Sequence, residues 1–332
     1  MEGIVSLTKR ISLTDNSEIW QGIWGNEDVM VRRFARRFED KAKEEMKFYL
    51  RKNAEYVLRY FCSQMDDAYV YLIFEKPECN LFELINACQQ NTEVSHINPD
   101  RKAFLNSVKQ EFPLWVPSPS IHGQQPLVSR MPTHVLLTLV RDILKALSYF
   151  HSLELDLSVN PHDILVFKRE RGKGLRAKLA TTIYKAAAWE SKERFAYELV
   201  TSLQRMQANM FSAGLVVYFC LAGSHPSSLD ATGEVTDVEA WRKKVDQGGL
   251  NSINKDPVLL HPDAFDLVQK LLSSAHHYLN SSCKRRIISN NNSFVDGQLS
   301  WHRGFPPDLI TQVEDYLVKQ VSLEGCTVQD VY

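Results

Sequence analysis

The chain has no surplus of either charge: 39 Lys and Arg stand against 40 Asp and Glu, for a formal net charge of −1. It therefore projects no broad field to attract nucleic acid or a membrane surface. No C-x-x-C pair occurs among its six cysteines, Cys62, Cys79, Cys88, Cys220, Cys283 and Cys326. Such spacing suits neither a zinc ribbon nor a dense disulfide framework, and it predicts reduced thiols in a cytoplasmic protein. A long hydrophobic run is also missing. Residues 1–10 contain no apolar signal core, and the most apolar stretch, 210–223, is about fourteen residues where a bilayer needs roughly twenty. That stretch predicts a buried core helix in a soluble protein with no membrane anchor. No internal repeat is evident.

What the chain does have is apolar mass. Hydrophobic residues make up 44% of its 332 positions, enough for one large or two medium domains. Residues 4–34 alternate, are rich in Val, Ile, Trp and Phe, and are punctuated by Asp15-Asn16-Ser17 and Gly25-Asn26, which predicts an antiparallel meander. Residues 41–53 set Met46 and Leu50 on one helical face. Two further strands are expected at 57–62 and 69–75, about a turn at Met65-Asp66-Asp67. Residues 89–132 are polar and carry Pro99, Pro113, Pro117, Pro119, Pro126 and Pro132, which predicts a plain surface loop. From Thr133, a candidate N-cap, helices dominate. Leu136, Leu139, Val140, Ile143, Leu147 and Phe150 recur at helical spacing, and further helices are expected at 208–222, 237–246 and 263–273. A β-rich front and a helical back make an α+β, two-lobed pattern. The boundaries expected are 1–88, 89–132, 133–280 and 281–332.

Residues 151–165 read HSLELDLSVNPHDIL, a helix end followed by a loop and by Pro161-His162-Asp163-Ile164-Leu165, which runs into a strand-like Val166-Phe167. Together with 29–34, 57–85, 132–153, 210–226 and 261–272, this frame resembles the bilobal protein-kinase fold. In its wording it resembles the inositol-requiring kinase/endoribonuclease family of the unfolded-protein response, with ribonuclease L a more distant relative. The insertion, with Leu114-Trp115 and Pro117-Ser118-Pro119, is most similar to plant members. The resemblance implies a small β-rich lobe, a large helical lobe, and a serine/threonine kinase with endoribonuclease activity that uses ATP and Mg²⁺.

Phosphoryl transfer rests on positioning and charge neutralisation, and the residues that should supply both depart from the family pattern. The loop that should approach phosphate, Thr14-Asp15-Asn16-Ser17-Glu18-Ile19, has no glycine and two carboxylates. The strand lysine is replaced by Arg32, a longer and forked cation. Its expected helix partner is Glu45, with Glu44 beside it; the alternative is two solvated surface charges. Glu75, at the hinge, completes the nucleotide-binding candidates. Ser158 stands where the catalytic base should be, and a neutral hydroxyl is a poor base near pH 7. Asp156 could replace it only in a re-threaded loop. Asp163 fills the metal-binding Asn position and could ligate Mg²⁺ through oxygen or serve as a turn-capping carboxylate. Where the second metal aspartate should follow strand 177–180, the chain has Thr181-Thr182-Ile183. Ala196-Tyr197-Glu198 and Asn209 stand at two further family positions, the second normally an Asp that braces the catalytic loop.

After residue 280 only 52 residues remain. Residues 304–321 resemble the closing helix of the family's nuclease domain, and its middle is not found. His276 and His277 read as acid/base groups or as surface histidines at a helix end. Lys284-Arg285-Arg286 with Trp301 is too thin a basic run to argue RNA binding. The expected reading is a kinase-like protein without phosphotransfer, a regulatory or dimerisation partner of an active relative. The alternatives are a residual ATP-dependent kinase, an RNA endonuclease, or a decayed gene product. Neither DNA binding nor membrane insertion is expected.

Overall fold

The computed structural model describes residues 4–14, 16–50, 55–89, 99–117, 130–152, 159–169, 174–180 and 202–223, with 267, 268, 271, 310, 311, 313–315 and 318. The front half begins with three antiparallel strands, β1 (Ser6–Leu13), β2 (Ser17–Trp24) and β3 (Glu27–Ala35). Gly25 turns β2 into β3 at φ 63°, a left-handed conformation that costs glycine little. Helix α1 (Glu39–Leu50) follows, then β4 (Tyr60–Met65) and β5 (Tyr69–Glu75). The Asp66 carboxylate shapes the β4–β5 turn by accepting the amides of Ala68 and Tyr69 at 2.8 and 2.7 Å. The sheet order is β1-β2-β3-β5-β4.

The period-2 alternation of the strands gives this sheet two apolar faces. Met30, Phe34, Leu72 and Phe74 join the main core with Tyr49 of α1. Val29, Val31 and Ile73 form a second cluster on the other face, under Trp20, Trp24, Phe61 and Tyr71. The sequence places a strand at 57–62, three residues too early. Val57 and Leu58 lie outside β4 and pair instead with Leu179 of the large lobe: Val57 makes a parallel bridge, and the Leu58 amide donates to the Leu179 carbonyl at 3.1 Å. Helix α1 likewise starts two residues before the expected Lys41.

Beyond β6 (Cys79–Asn80), α2 (Leu81–Gln89) opens with a reciprocal cap. The Glu83 amide donates to Asn80 Oδ1 at 2.8 Å and the Asn80 amide to Glu83 Oε2 at 3.1 Å. The expected surface loop at 89–132 is corrected over its described part. It contains α3 (Pro99–Glu111) and a strand pair, β7 (Trp115–Pro117) with β8 (Arg130–Pro132). Phe104, Leu105 and Val108 sit on one face of α3 and are buried with Leu114. Their polar neighbours dominate the composition, so the apolar stripe was hidden by its surroundings.

Helix α4 (His134–Ser152) is buried on nearly every side, and Thr133 caps it. Strands β9 (Ile164–Lys168) and β10 (Leu175–Leu179) pair in the order β10-β9-β6. Helix α5 (Ser202–Ala222) ends at Gly223, φ 74°. Its last carbonyls accept from distant side chains: Trp115 Nε1 bonds Leu221 O at 3.0 Å and Gln89 Nε2 bonds Ala222 O at 3.0 Å. The insertion thus completes a helix end that would otherwise need water. The helix expected at 237–246 lies outside the described residues. Of 263–273, Leu267, Val268 and Leu271 are described, helical and buried. Among the described residues no helix is long and apolar enough to cross a membrane. The architecture is α+β with a β-rich and a helical lobe.

Candidate functional site

Strand β3 directs Met30, Arg32 and Phe34 to one face, the face covered by α1. Arg32 Nη1 meets the Glu45 carboxylate at 2.8 Å, and both side chains are only 11% exposed. The expected pair is formed and the alternative of two solvated charges is not: α1 lies close enough to desolvate both. Arg32 Nε donates to Ser17 Oγ at 2.9 Å, and Ser17 Oγ lies 2.8 Å from Thr14 Oγ1. The turn that should lie over phosphate is therefore tied back to the cation of β3.

Glu18 is one of the two carboxylates of this turn. Alternation puts Glu18 on the opposite sheet face from Ser17. There it bonds Arg33 and accepts Trp20 Nε1 at 3.1 Å. Arg33 draws its carboxyl below the usual carboxylate range against the opposing effect of burial. Asp15, the second carboxylate, lies outside the described residues.

Glu75 ends β5. Its Oε1 accepts the Arg59 amide at 2.7 Å and the Lys178 ammonium at 2.6 Å. Lys178, on β10, is 9% exposed and lies 5.0 Å over the Phe167 ring. Sequence reasoning missed Lys178, because a lone lysine in an apolar strand carries no sign of a partner 103 residues away. The segment from Glu75 to Asn80 is poor in free donors. The amides of Glu75, Glu78 and Asn80 are spent on Arg59 O, Val166 O and Glu83, and Pro77 has no N–H.

Asp163 opens the run into β9 and is 1% exposed. Its amide donates to Asn160 O and its carbonyl accepts the Ala180 amide, both at 3.0 Å. These bonds fix Asp163 beside the end of β10. His162 stacks on Phe82 with ring centroids 4.3 Å apart, and Phe82 stacks on Phe219 at 5.9 Å. Burial among these rings lowers the His162 pKa to about 4, so the imidazole is neutral and bound to its apolar neighbours. Asp142, on α4, supports β10 from behind by accepting the Ala177 amide at 3.2 Å, and burial raises its pKa despite Arg141 alongside.

The structure brings Arg32, Glu45 and Ser17 together on one side and Glu75 with Lys178 on another. Ser158, Asp156, Thr181-Thr182-Ile183, Glu198, His276 and His277 lie outside the described residues. Among the described residues, no group of three or more His, Cys, Asp or Glu is placed to hold a metal ion. Arg32 commits two of its five N–H donors to Glu45 and Ser17, and the connector from Glu75 to Asn80 offers few free donors.

No family model matches the chain. It is 22% identical over 234 residues to the serine/threonine-protein kinase/endoribonuclease IRE1 of Oryza sativa subsp. japonica, a match covering 64% of this chain and 23% of that protein. It is 23% identical over 290 residues to IRE1a of Arabidopsis thaliana, covering 78% of this chain and 31% of the relative. The match thus spans between about a quarter and a third of the length of these relatives. The crystal structure of Rad53 residues 1–466 in complex with AMP-PNP superimposes with a TM-score of 0.55 at 16% identity, over 81% of this chain and 60% of that one. At that identity the likeness speaks for the fold, and with the distant sequence similarity it makes the chain a protein-kinase-like protein with a bilobal α+β fold.

Proposed function

We propose that this chain is a kinase-like protein of the IRE1 type that keeps the scaffold and has lost phosphotransfer, a pseudokinase. It acts in the cytoplasm as a regulatory or dimerisation partner of an active kinase/endoribonuclease relative in the endoplasmic-reticulum stress pathway. The observation that carries the reading is the tie between Arg32 and the glycine-free turn. An active kinase also pairs its strand cation with a helix glutamate, as Arg32 does with Glu45, but here Arg32 Nε also donates to Ser17 Oγ, which fastens the turn down on the cation where phosphate would lie. The same network holds α1 against the sheet without a ligand, so the surface a partner would read is formed in the protein alone. Ser158 in the base position and Thr181 in the metal position support the reading.

Thermal-shift titration with ATP, with and without Mg²⁺, tests it. A ligand at a hundred times its Kd adds about 2.7 kcal/mol of stability. The proposal expects no shift at millimolar ATP and no phosphotransfer, with capture of the active relative in a pull-down. The competing reading is a residual serine/threonine kinase, and the carboxylate of Asp163, held beside the end of β10, favours it. Robust phosphotransfer abolished by Asp163→Ala would establish that reading and end the present one.

A further inference from the structure

We infer that the C-terminal segment carrying Ile310, Val313 and Glu314 is an intramolecular brace that helps hold α1 in place through the loop 55–58. The inference is independent of whether the chain binds nucleotide.

The segment has the pattern of a docked amphipathic helix. Ile310, Val313 and Glu314 face inward at helical spacing, while Thr311, Asp315 and Val318 are exposed. Val313 is 2% exposed and Ile310 packs against the main core. Glu314 Oε1 meets Lys145 Nζ of α4 at 2.7 Å. Lys145 also lies 6.0 Å from the centroid of the Tyr56 ring. One lysine therefore joins the C-terminal segment to α4 and to the loop 55–58.

That loop is the route from α1 back to the sheet, and it is fastened to the large lobe. The Leu179 amide donates to Tyr56 O at 2.9 Å, the Leu58 amide donates to Leu179 O at 3.1 Å, and Arg176 pairs with Glu55 at 2.9 Å. Along α1 itself, Glu45 pairs with Arg32 and, near the exit, Phe48 stacks on Phe150 of α4 with centroids 5.5 Å apart. The loop is the C-terminal anchor of α1 on the large lobe, so a loosened loop is felt first in the last turns of α1. Through Glu314 the segment holds Lys145 over Tyr56, and release of the segment frees that contact.

Hydrogen exchange on the full chain tests the brace. Val313→Asp puts a charge into an apolar contact and undocks the segment. The expected result is roughly tenfold faster exchange in 55–58 and in 45–49, with the amides of β2, β3 and β5 unchanged. The ion pair is half-exposed, so reversing it leaves the protein folded. Glu314→Lys is expected to give a smaller acceleration at the same amides, and Lys145→Glu/Glu314→Lys to restore protection. This exchange of charges decides the matter should Val313→Asp fail to fold. The inference is overturned if 310–318 exchanges freely while 55–58 and α1 keep wild-type protection, if Val313→Asp leaves 310–318 protected, or if the double reversal does not restore protection.

Discussion

His162 makes folding stability depend on pH in a calculable way. Its imidazole is packed flat on Phe82, which stacks on Phe219 in turn, and burial lowers its pKa from 6.5 to about 4. The unfolded chain takes up a proton near 6.5, and the folded chain refuses it until about pH 4. A depressed folded-state pKa means stability is fully present above 6.5 and is lost as pH falls toward 4. The whole gap corresponds to about 3 kcal/mol, of which about 2 kcal/mol is gone at pH 5 and almost nothing at pH 7. His162→Phe keeps a flat ring and removes the titration. Urea unfolding at pH 7.5 and at pH 5 should show the wild type losing about 2 kcal/mol more than the variant. Titrating carboxylates are common to both proteins and cancel in the comparison. Equal losses would mean that His162 is solvated in the folded state and that the stacked arrangement does not hold.

Arg32→Ala should cost about 3 kcal/mol in denaturant unfolding, because it strands Glu45 in a poorly solvated site, and Arg32→Lys should cost less. Gly223→Ala combines a φ of 74° with a Cβ that would lie 1.1 Å from Gln89 Nε2. It should lower stability by at least about 1 kcal/mol, seen as a drop in Tm, and Gln89→Ala should lose part of the same energy, so the double variant is not additive. Trp115→Phe keeps an aromatic side chain but loses the indole N–H and its bond to Leu221 O, and a loss of at least about 1 kcal/mol on urea titration is expected.

Much of the fold was legible because its signals are local. The meander over residues 4–34 is a matter of alternation and of the turn at Gly25-Asn26, and the β4–β5 hairpin of the turn at Asp66. Helix α4 is declared by the spacing of Leu136, Val140, Ile143 and Leu147. What escaped depends on partners distant in sequence. Helix α3 begins at a proline and is rich in charge, and only packing against α2 and the main core turns Phe104, Leu105 and Val108 into buried residues. At the candidate site, Arg32 and Glu45 could be paired from the resemblance. Ser17 as the second acceptor and Lys178 as the partner of Glu75 could not. A hydroxyl and a lysine become specific only when strands and lobes bring them within hydrogen-bonding distance. Val57 and Leu58 are the converse case: their β-prone sequence was read correctly as extended, but its partner was assigned to the wrong sheet.

The pairing of Val57 and Leu58 with Leu179 also bears on how the chain acquires its structure. A contact spanning more than 120 residues is costly in loop closure and late to form. While the chain is emerging from the ribosome, the front sheet can fold, but the exit from α1 has no strand to lie against until β10 has been made. During that interval two apolar residues and their unpaired backbone groups are exposed, a ready template for the wrong neighbour. Expression of residues 1–89 alone should therefore give an aggregation-prone product. The main-chain hydrogen bonds of Tyr56 and Leu58 with Leu179 are then the last stitch between the front sheet and β10.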